Sequence, residues 1–230
     1  MPPLELSVGW RYTTDWATSL SNLGICLNDL GRYEEALESA QQAETIHRQL
    51  ADAQPDVYLP AWATSLGILA EALTRTGESY DALSHAEQSA GLYRELSVHY
   101  SKIHQANFGC SHRILSEVLL ETGDMSRALI EAQKSETILL EIHKERPGYE
   151  TVEYGKSLDI LSRCQSEEGD VTASLQTLKK AVHELAPQYE RRPAALRGVM
   201  KKIIENLHDQ APDSLAEWVP PHLLDLLDID

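Results

Sequence analysis

The sequence predicts an all-α fold: a right-handed solenoid of four antiparallel helix pairs followed by a C-terminal capping helix. Two observations lead to this prediction. The phrase WATSL at residues 16–20 returns at residues 62–66, 46 residues later. A glycine recurs with the same step, at Gly31, Gly77, Gly123 and Gly169. A fixed period of this length is typical of tandem helical repeats, in which each repeat packs on its neighbours.

The first helix of the first repeat follows from its apolar spacing. Its apolar residues lie three or four positions apart: Trp16, Leu20, Leu23, Leu27 and Leu30. This spacing places them on one face of a helix. Gly31 should end that helix, because glycine tolerates the left-handed conformation found just past a helix C-terminus. Apolar spacing resumes over residues 33–50, so each repeat is predicted to hold two helices of about 18–20 residues, each about 27–30 Å long.

The repeat resembles the tetratricopeptide repeat over about residues 12–188. The resemblance rests on the leucine spacing of the first helix, the turn glycine, and alanines in the second helix at Ala36, Ala82 and Ala128. Units of 46 residues are long for this family and look like those of kinesin light chains. They look still more like the arrays fused to signalling ATPases in fungi and bacteria, where a phrase such as DLGRYEEALE, found here at residues 29–38, is typical.

The period also divides the chain. We predict a solenoid over residues 1–210, with repeats at about 12–57, 58–103, 104–149 and 150–190 and a cap at 193–210, followed by an acidic apolar tail at 211–230. The cap is assigned because a further step of 46 from Tyr154 and Leu158 reaches Met200 and Ile204, so a first-helix pattern recurs without a second helix. A solenoid needs such an end piece to cover its last apolar face.

The tail is predicted to dock on the cap or in the groove of the same chain. It combines acidic and apolar residues and follows the most basic stretch, which holds Arg191, Arg192, Arg197, Lys201 and Lys202. Two alternatives stay open. The tail is a plain capping segment, or it is a short linear motif, since its last five residues, LLDID, resemble a clathrin-binding box.

Composition narrows the class of partner. The 230 residues include 36 acidic and 20 basic side chains, a net charge of −16. Such a surface disfavours nucleic acid and anionic membrane and favours a protein or basic peptide, although solubility alone would also explain it. No run of 18 apolar residues and no secretory signal is present, and three cysteines make no disulfide framework, so we expect a cytoplasmic protein.

No catalytic constellation stands out in the sequence. Phosphate-binding, dinucleotide-binding and zinc-binding motifs are lacking, and the densest group of possible ligands, His99, His104, Cys110 and His112, has no ligand-type spacing. We therefore expect neither an enzyme nor a bound cofactor or metal.

The resemblance implies a concave groove lined by the first helices, where tetratricopeptide arrays usually bind peptides. The spacing gives the residues that face away from the apolar stripe. The candidates for the groove are Asn28, Glu71, Arg75, Arg113, Glu117, Lys156, Asp159 and Arg163. Guanidinium and ammonium groups there could bind a carboxylate, and the carboxylates could bind a basic peptide. The alternative is that these charges pair with one another across neighbouring helices.

The function predicted from these features is a non-catalytic protein–protein interaction module that binds a peptide or extended protein segment. The alternative is a sensor or regulatory arm of a signalling NTPase-type protein, acting in cis within a longer gene product or in trans.

Overall fold

A computed structural model describes residues 4–99, 101–146, 148 and 150–227, with the side chains of residues 4–11, 98, 99, 101 and 102 left aside. The helices are α1 (Leu4–Asp29), α2 (Tyr33–Ala53), α3 (Pro55–Arg75), α4 (Ser79–His99), α5 (Ser101–Glu121), α6 (Met125–Glu145), α7 (Thr151–Glu167), α8 (Val171–Arg191), α9 (Pro193–Gln210), α10 (Leu215–Trp218) and α11 (Pro221–Leu224). Within these described ranges there is no strand.

The helices form two compact units, residues 1–122 and 123–230. In the first unit, each of α1 to α4 packs on the next helix in the chain, and α3 also contacts α1 and α5. In the second unit, α6 packs on α7, α7 on α8 and α8 on α9, and α9 returns to α7. The predicted all-α solenoid fold of successive helix pairs is confirmed within each unit. The predicted repeat boundaries stay a prediction.

The turns within the helix pairs have a common geometry set by the recurring glycine. Gly31, Gly77 and Gly169 have φ values of 73°, 88° and 86°. This is the left-handed backbone conformation, which residues with a Cβ atom rarely adopt. The amide after the glycine then reaches back across the helix end. Arg32 N–H donates to the Leu27 carbonyl oxygen at 2.9 Å. This arrangement supplies a hydrogen bond to a carbonyl group at the end of the first helix and reverses the chain within a few residues. The sequence predicts that the glycine ends the helix here.

Small residues on the second helices allow the paired helices to approach closely. Ala36 and Ala82 in the first unit, and Ala128 and Ser174 in the second, are completely buried. They occupy equivalent positions in successive 46-residue repeats. Their short side chains leave room for the facing helix, so the alanine pattern of the sequence sets the spacing within each pair.

The apolar stripe of α1 is buried only in part. Leu20 and Leu27 lie in the core, whereas Trp16 is 58% exposed, Leu23 48% and Leu30 72%. The five residues share one face of the helix by their spacing, but the structure buries only two of them. Among the described helices, α1 packs on α2 and α3, which cover one side of it.

The C-terminal part of the second unit is closed by α9 and the segments after it. The buried face of α9 consists of Leu196, Val199, Met200, Ile203, Ile204 and Leu207. A 3₁₀ turn over Pro212–Ser214 leads into α10 and α11. Leu215, Val219, Leu223 and Leu226 of this segment are buried. Residues 228–230, which belong to the LLDID phrase, lie outside the described residues.

Candidate functional site

Four of the predicted groove residues form one ion-pair network in the first unit. Glu71 and Arg75 lie on the last turns of α3, and Arg113 and Glu117 lie one turn apart on α5. Arg75 Nη2 is 2.8 Å from Glu117 Oε1, and Arg113 Nη1 is 3.5 Å from Glu117 Oε2. Arg113 Nη2 is also 3.7 Å from Glu71 Oε2. The two cations and two carboxylates balance, and the network ties two first helices together.

The network has a buried centre and a more accessible edge. The side chain of Arg113 is 6% exposed and that of Glu117 9%, whereas Glu71 is 17% and Arg75 29% exposed. Burial lowers the pKa of the Arg75 guanidinium, but the charges of Glu117 and Glu71 outweigh it and hold this pKa above its usual value. The Arg75 guanidinium is therefore held in its charged form, and pairing offsets the desolvation of the buried groups.

This geometry is the one that the mutual-pairing alternative predicts for Glu71, Arg75, Arg113 and Glu117. Pairing does not abolish binding capacity, because a carboxylate oxygen and a guanidinium can each accept or donate more than one hydrogen bond. The role of these residues in a groove stays a prediction.

Asn28 lies in the last turn of α1 and is half-buried. Its Oδ1 atom is buried and has no hydrogen-bond partner among the described residues. The hydroxyl of Ser21, two turns earlier on the same face, is likewise buried without a partner there. Because buried polar atoms are nearly always hydrogen-bonded, this face of α1 has unused capacity for polar contacts.

Lys156, Asp159 and Arg163 lie along α7 in the second unit. Lys156 Nζ is 3.1 Å from Glu153 Oε1 on the same helix. Asp159 is buried, and its Oδ1 accepts a hydrogen bond from Asn206 Nδ2 of α9 at 2.6 Å. Arg163 follows one turn later and is half-buried. Asp159 therefore has a clear role in joining α7 to the cap, which the sequence does not indicate.

A polar cluster centred on Tyr93 was missed by sequence reasoning. Its hydroxyl donates to the Pro60 carbonyl oxygen at 2.9 Å and lies 2.5 Å from the hydroxyl of Thr64, both on α3. Asn107 Nδ2 of α5 donates to the same hydroxyl at 2.9 Å. Burial raises the pKa of Tyr93, so it is neutral and joins three helices. The proline inside α3 was the only local signal.

A second missed cluster lies in the second unit, where Tyr154 is buried between α6 and α8. The ring of His143 stacks on it with centroids 4.9 Å apart, and Lys180 Nζ is 6.0 Å from its ring centroid. Lys180 also pairs with Glu136 Oε1 at 2.6 Å. Burial raises the pKa of Tyr154 and lowers that of His143, whose shift is partly opposed by the carboxylate of Glu184. The sequence signal for this site is an aromatic residue that recurs every 46 residues, at Trp16, Trp62, Phe108 and Tyr154.

Two further properties of the described residues concern metal binding and membrane insertion. No group of three or more His, Cys, Asp or Glu side chains among them is placed to hold a metal ion. None of the helices in that part of the chain is both long and apolar enough to cross a membrane.

The paired helices, turn glycines and buried alanines define a helical repeat protein, and residues 16–56 match the family model of the tetratricopeptide repeat. Among solved structures, the chain is similar to kinesin-light-chain-like, nearly identical TPR-like repeats from Podosopora anserina, at 17% identity, 93% coverage of each chain and a TM-score of 0.58. A single-residue variant of those repeats gives a TM-score of 0.60 at the same identity and coverage. A thermophilic TPR protein of Thermus thermophilus gives 0.48, at 17% identity, 93% coverage of this chain and 100% of that one. No curated protein matches the chain.

Residues 16–56 thus match the tetratricopeptide repeat, and the chain has the fold of TPR-like repeats, as its sequence predicts. This fold is typical of protein–protein interaction modules and is generally non-catalytic.

Proposed function

We propose that the protein is a non-catalytic interaction module that binds an extended peptide segment of a partner protein along its first helices. The observation that carries the proposal is the ion-pair network of Glu71, Arg75, Arg113 and Glu117. It lies on two successive first helices, the surface that binds peptides in the family that the sequence resembles.

The network suits recognition because its charges are held in place before a ligand arrives. Arg113 and Glu117 are buried and fix the orientation of the two outer groups. Arg75 and Glu71 reach solvent and can each add a contact to a ligand. A preorganised site loses little side-chain entropy on binding, which favours affinity.

Asn28 supplies the other type of contact that an extended peptide needs. A peptide main chain presents N–H donors at regular intervals. The Oδ1 atom of Asn28 is an acceptor that is buried without a partner among the described residues, so the half-buried side chain must rotate to offer it to a peptide. An amide on a first helix therefore suits binding of the main chain, while Arg75 and Glu71 suit binding of charged side chains.

A peptide-display selection against the immobilised full chain tests this proposal, followed by calorimetry with the selected peptide. We expect Arg75→Ala and Asn28→Ala to weaken binding by about 5–30-fold each, as for loss of a hydrogen bond or ion pair of about 1–2 kcal/mol. The matched controls are Glu38→Ala and Gln42→Ala on the exposed side of α2, which should leave affinity unchanged. Peptides whose affinity depends on α2 and not on Arg75 or Asn28 would move the binding surface to the second helices.

Docking of the tail within the second unit belongs to the same proposal. Lys179 Nζ of α8 is 3.4 Å from the ring centroid of Trp218, and His222 Nε2 is 3.7 Å from Glu190 Oε1. Together with the buried Leu223, these contacts support a tail that covers apolar surface of α8 and α9. Of the basic residues named from the sequence, Arg192 donates through Nη2 to the Gly148 carbonyl oxygen at 2.6 Å, and Lys201 Nζ lies 3.9 Å from Glu205 Oε1 of the same helix.

Dye binding tests this docking. We expect deletion of residues 211–230, or Leu223→Asp, to raise fluorescence of a dye for exposed apolar surface several-fold. Val171→Asp on the exposed side of α8 is the matched control and should give no rise. Equal dye binding by the intact and shortened chains would argue against docking. The cytoplasmic location and the regulatory-arm alternative stay predictions from the sequence.

A further inference from the structure

The exposed side of α1 carries a second row of mostly apolar residues, which differs from the apolar stripe of α1 described above. We call this second row the exposed stripe. Its members are Tyr12, Trp16, Ser19, Leu23, Cys26 and Leu30, all of them exposed. Successive members are four, three, four, three and four residues apart, so they align along one side of the helix. No charged residue occurs from Trp16 to Asn28. The stripe itself therefore carries no formal charge, in a chain of net charge −16.

The second repeat shows what the same positions do when a neighbour covers them. One period later, the stripe becomes Tyr58, Trp62, Ser65, Leu69 and Ala72 on α3 and Thr76 directly after it. Helix α2 packs against this helix, and Trp62 Nε1 donates to Glu44 Oε1 of α2 at 2.9 Å. Leu69 is 5% exposed, against 48% for Leu23. The same pattern is thus buried or half-buried in the second repeat and exposed in α1, which indicates that α1 is also built to be covered.

We propose that two copies of this chain associate through this stripe, with their α1 helices antiparallel. The spacing reads the same from either end and is centred on position 21, so the stripe can face a reversed copy of itself in register. Tyr12 then lies opposite Leu30 of the second copy, Trp16 opposite Cys26, and Leu23 opposite Ser19. Large side chains meet small ones in the last two pairs, as close packing requires.

The polar member of the stripe does not oppose burial. The hydroxyl of Ser19 donates to the carbonyl oxygen of Asp15 at 2.8 Å, so it keeps a partner when water is excluded. The exposed apolar side chains present on the order of 500 Å² per copy, near the upper range for a monomer surface. Two copies would bury about 1,000 Å², the lower limit for a specific interface. We therefore expect a dimer that forms at about 10–100 µM rather than at nanomolar concentration.

Sedimentation equilibrium of the full chain tests the association, at concentrations from about 1 to 300 µM. The wild-type chain should shift from monomer to dimer over this range. Leu23→Glu should remain monomeric while its far-UV circular dichroism is unchanged, because Leu23 is already half-exposed in one copy. Tyr80→Glu is the matched control, since Tyr80 is 81% exposed on α4, and it should dimerise like the wild type.

A thiol crosslink tests the antiparallel register. In a Cys110→Ser background, Trp16→Cys places a thiol opposite the native Cys26 of the second copy. Mild oxidation should then give a covalent dimer in which peptide mapping joins position 16 to Cys26. These positions are about 15 Å apart along one helix, so the bond cannot form within a copy. Adding Cys26→Ser should abolish it.

Three results would overturn the proposal. The first is a wild-type chain that is monomeric at every concentration, which would leave the stripe to another protein or helix. The second is a dimer that Leu23→Glu does not weaken, which would place the interface elsewhere. The third is a disulfide joining position 16 to position 16, which would make the helices parallel.

Discussion

Replacing Arg113 by methionine separates the structural contribution of the ion-pair network from its proposed role in binding. Methionine keeps much of the length and apolar volume of the arginine stem but removes the guanidinium. The change removes the ion-pair partner of Glu71 and one of the two partners of Glu117. Arg75 still pairs with Glu117 at 2.8 Å. The variant thus leaves a partly buried carboxylate, Glu71, without its ion pair, although the charge of Arg75 still acts on it.

The expected loss of stability follows from the burial of these groups. Removing one member of a fully buried ion pair costs about 3–5 kcal/mol, because the remaining charge is left desolvated. Here the cost is smaller, since Glu71 is 17% exposed and Glu117 keeps Arg75. We therefore expect Arg113→Met to lower the free energy of unfolding of the first unit by about 2–3 kcal/mol.

Urea unfolding followed by far-UV circular dichroism measures this loss. With an m-value of about 1–3 kcal/mol per M, the midpoint should fall by about 1 M. Arg32→Met is the control, because Arg32 and its partner Glu35 are both more than half exposed. That variant should unfold like the wild type, since exposed ion pairs contribute little.

A second substitution checks the cause of the loss. Adding Glu71→Gln to Arg113→Met replaces the unpaired carboxylate by a neutral amide, so part of the stability should return. A midpoint for Arg113→Met within error of the wild type would refute the reasoning. So would a double variant that is less stable than the single one, because the loss would then come from packing and not from an unpaired charge.

Three further predictions follow from single sites. Tyr93→Phe should lower the free energy of unfolding by about 1–2 kcal/mol in urea titrations, since Asn107 loses its hydrogen-bond acceptor; equal midpoints would contradict this. Burial lowers the pKa of His47 in the folded chain. As the pH falls below about 6.5, the unfolded chain therefore takes up a proton at this imidazole before the folded chain does. The stabilisation that is present above that pH is lost as the pH falls through the folded pKa. Melting measured from pH 7 to 5 should show a contribution below about 1.4 kcal/mol per pH unit from this group, and the slope should decrease in His47→Leu without vanishing, since burial also lowers the pKa of His143. Gly155→Ala should destabilise by about 1–2 kcal/mol, because its Cβ would lie 2.9 Å from a methyl group of Leu185, whereas Gly198→Ala meets open space and should raise the melting temperature.

The repeat architecture was predictable because it rests on local and periodic properties. The turn glycine at Gly31 and its equivalents is needed for a positive φ, which few other residues adopt. Ala36 and its equivalents are needed where helices approach closely. Both constraints recur once per repeat, so the glycines and the alanines each appear in the sequence at a spacing of 46 residues. The fold class and family resemblance follow from them without knowledge of any contact.

The candidate site was predictable only as a set of residue types on the right helices. Spacing placed Glu71, Arg75, Arg113 and Glu117 on first helices, but it does not give the distance between those helices. That distance decides that Arg75 reaches Glu117 at 2.8 Å and that Arg113 is buried between carboxylates. The sequence alone thus left pairing and ligand binding as equal alternatives.

The helix spacing and turn residues of the sequence by themselves predicted that the chain forms paired helices and that these pairs turn at the recurring glycine. Only the tertiary structure decided which sides of those helices are covered. Trp16 and Trp62 share one phase and one local sequence, yet the first is mostly exposed and the second contacts Glu44 of α2. The reason is physical: secondary structure depends on neighbours along the chain, whereas burial depends on whether another helix packs against that side.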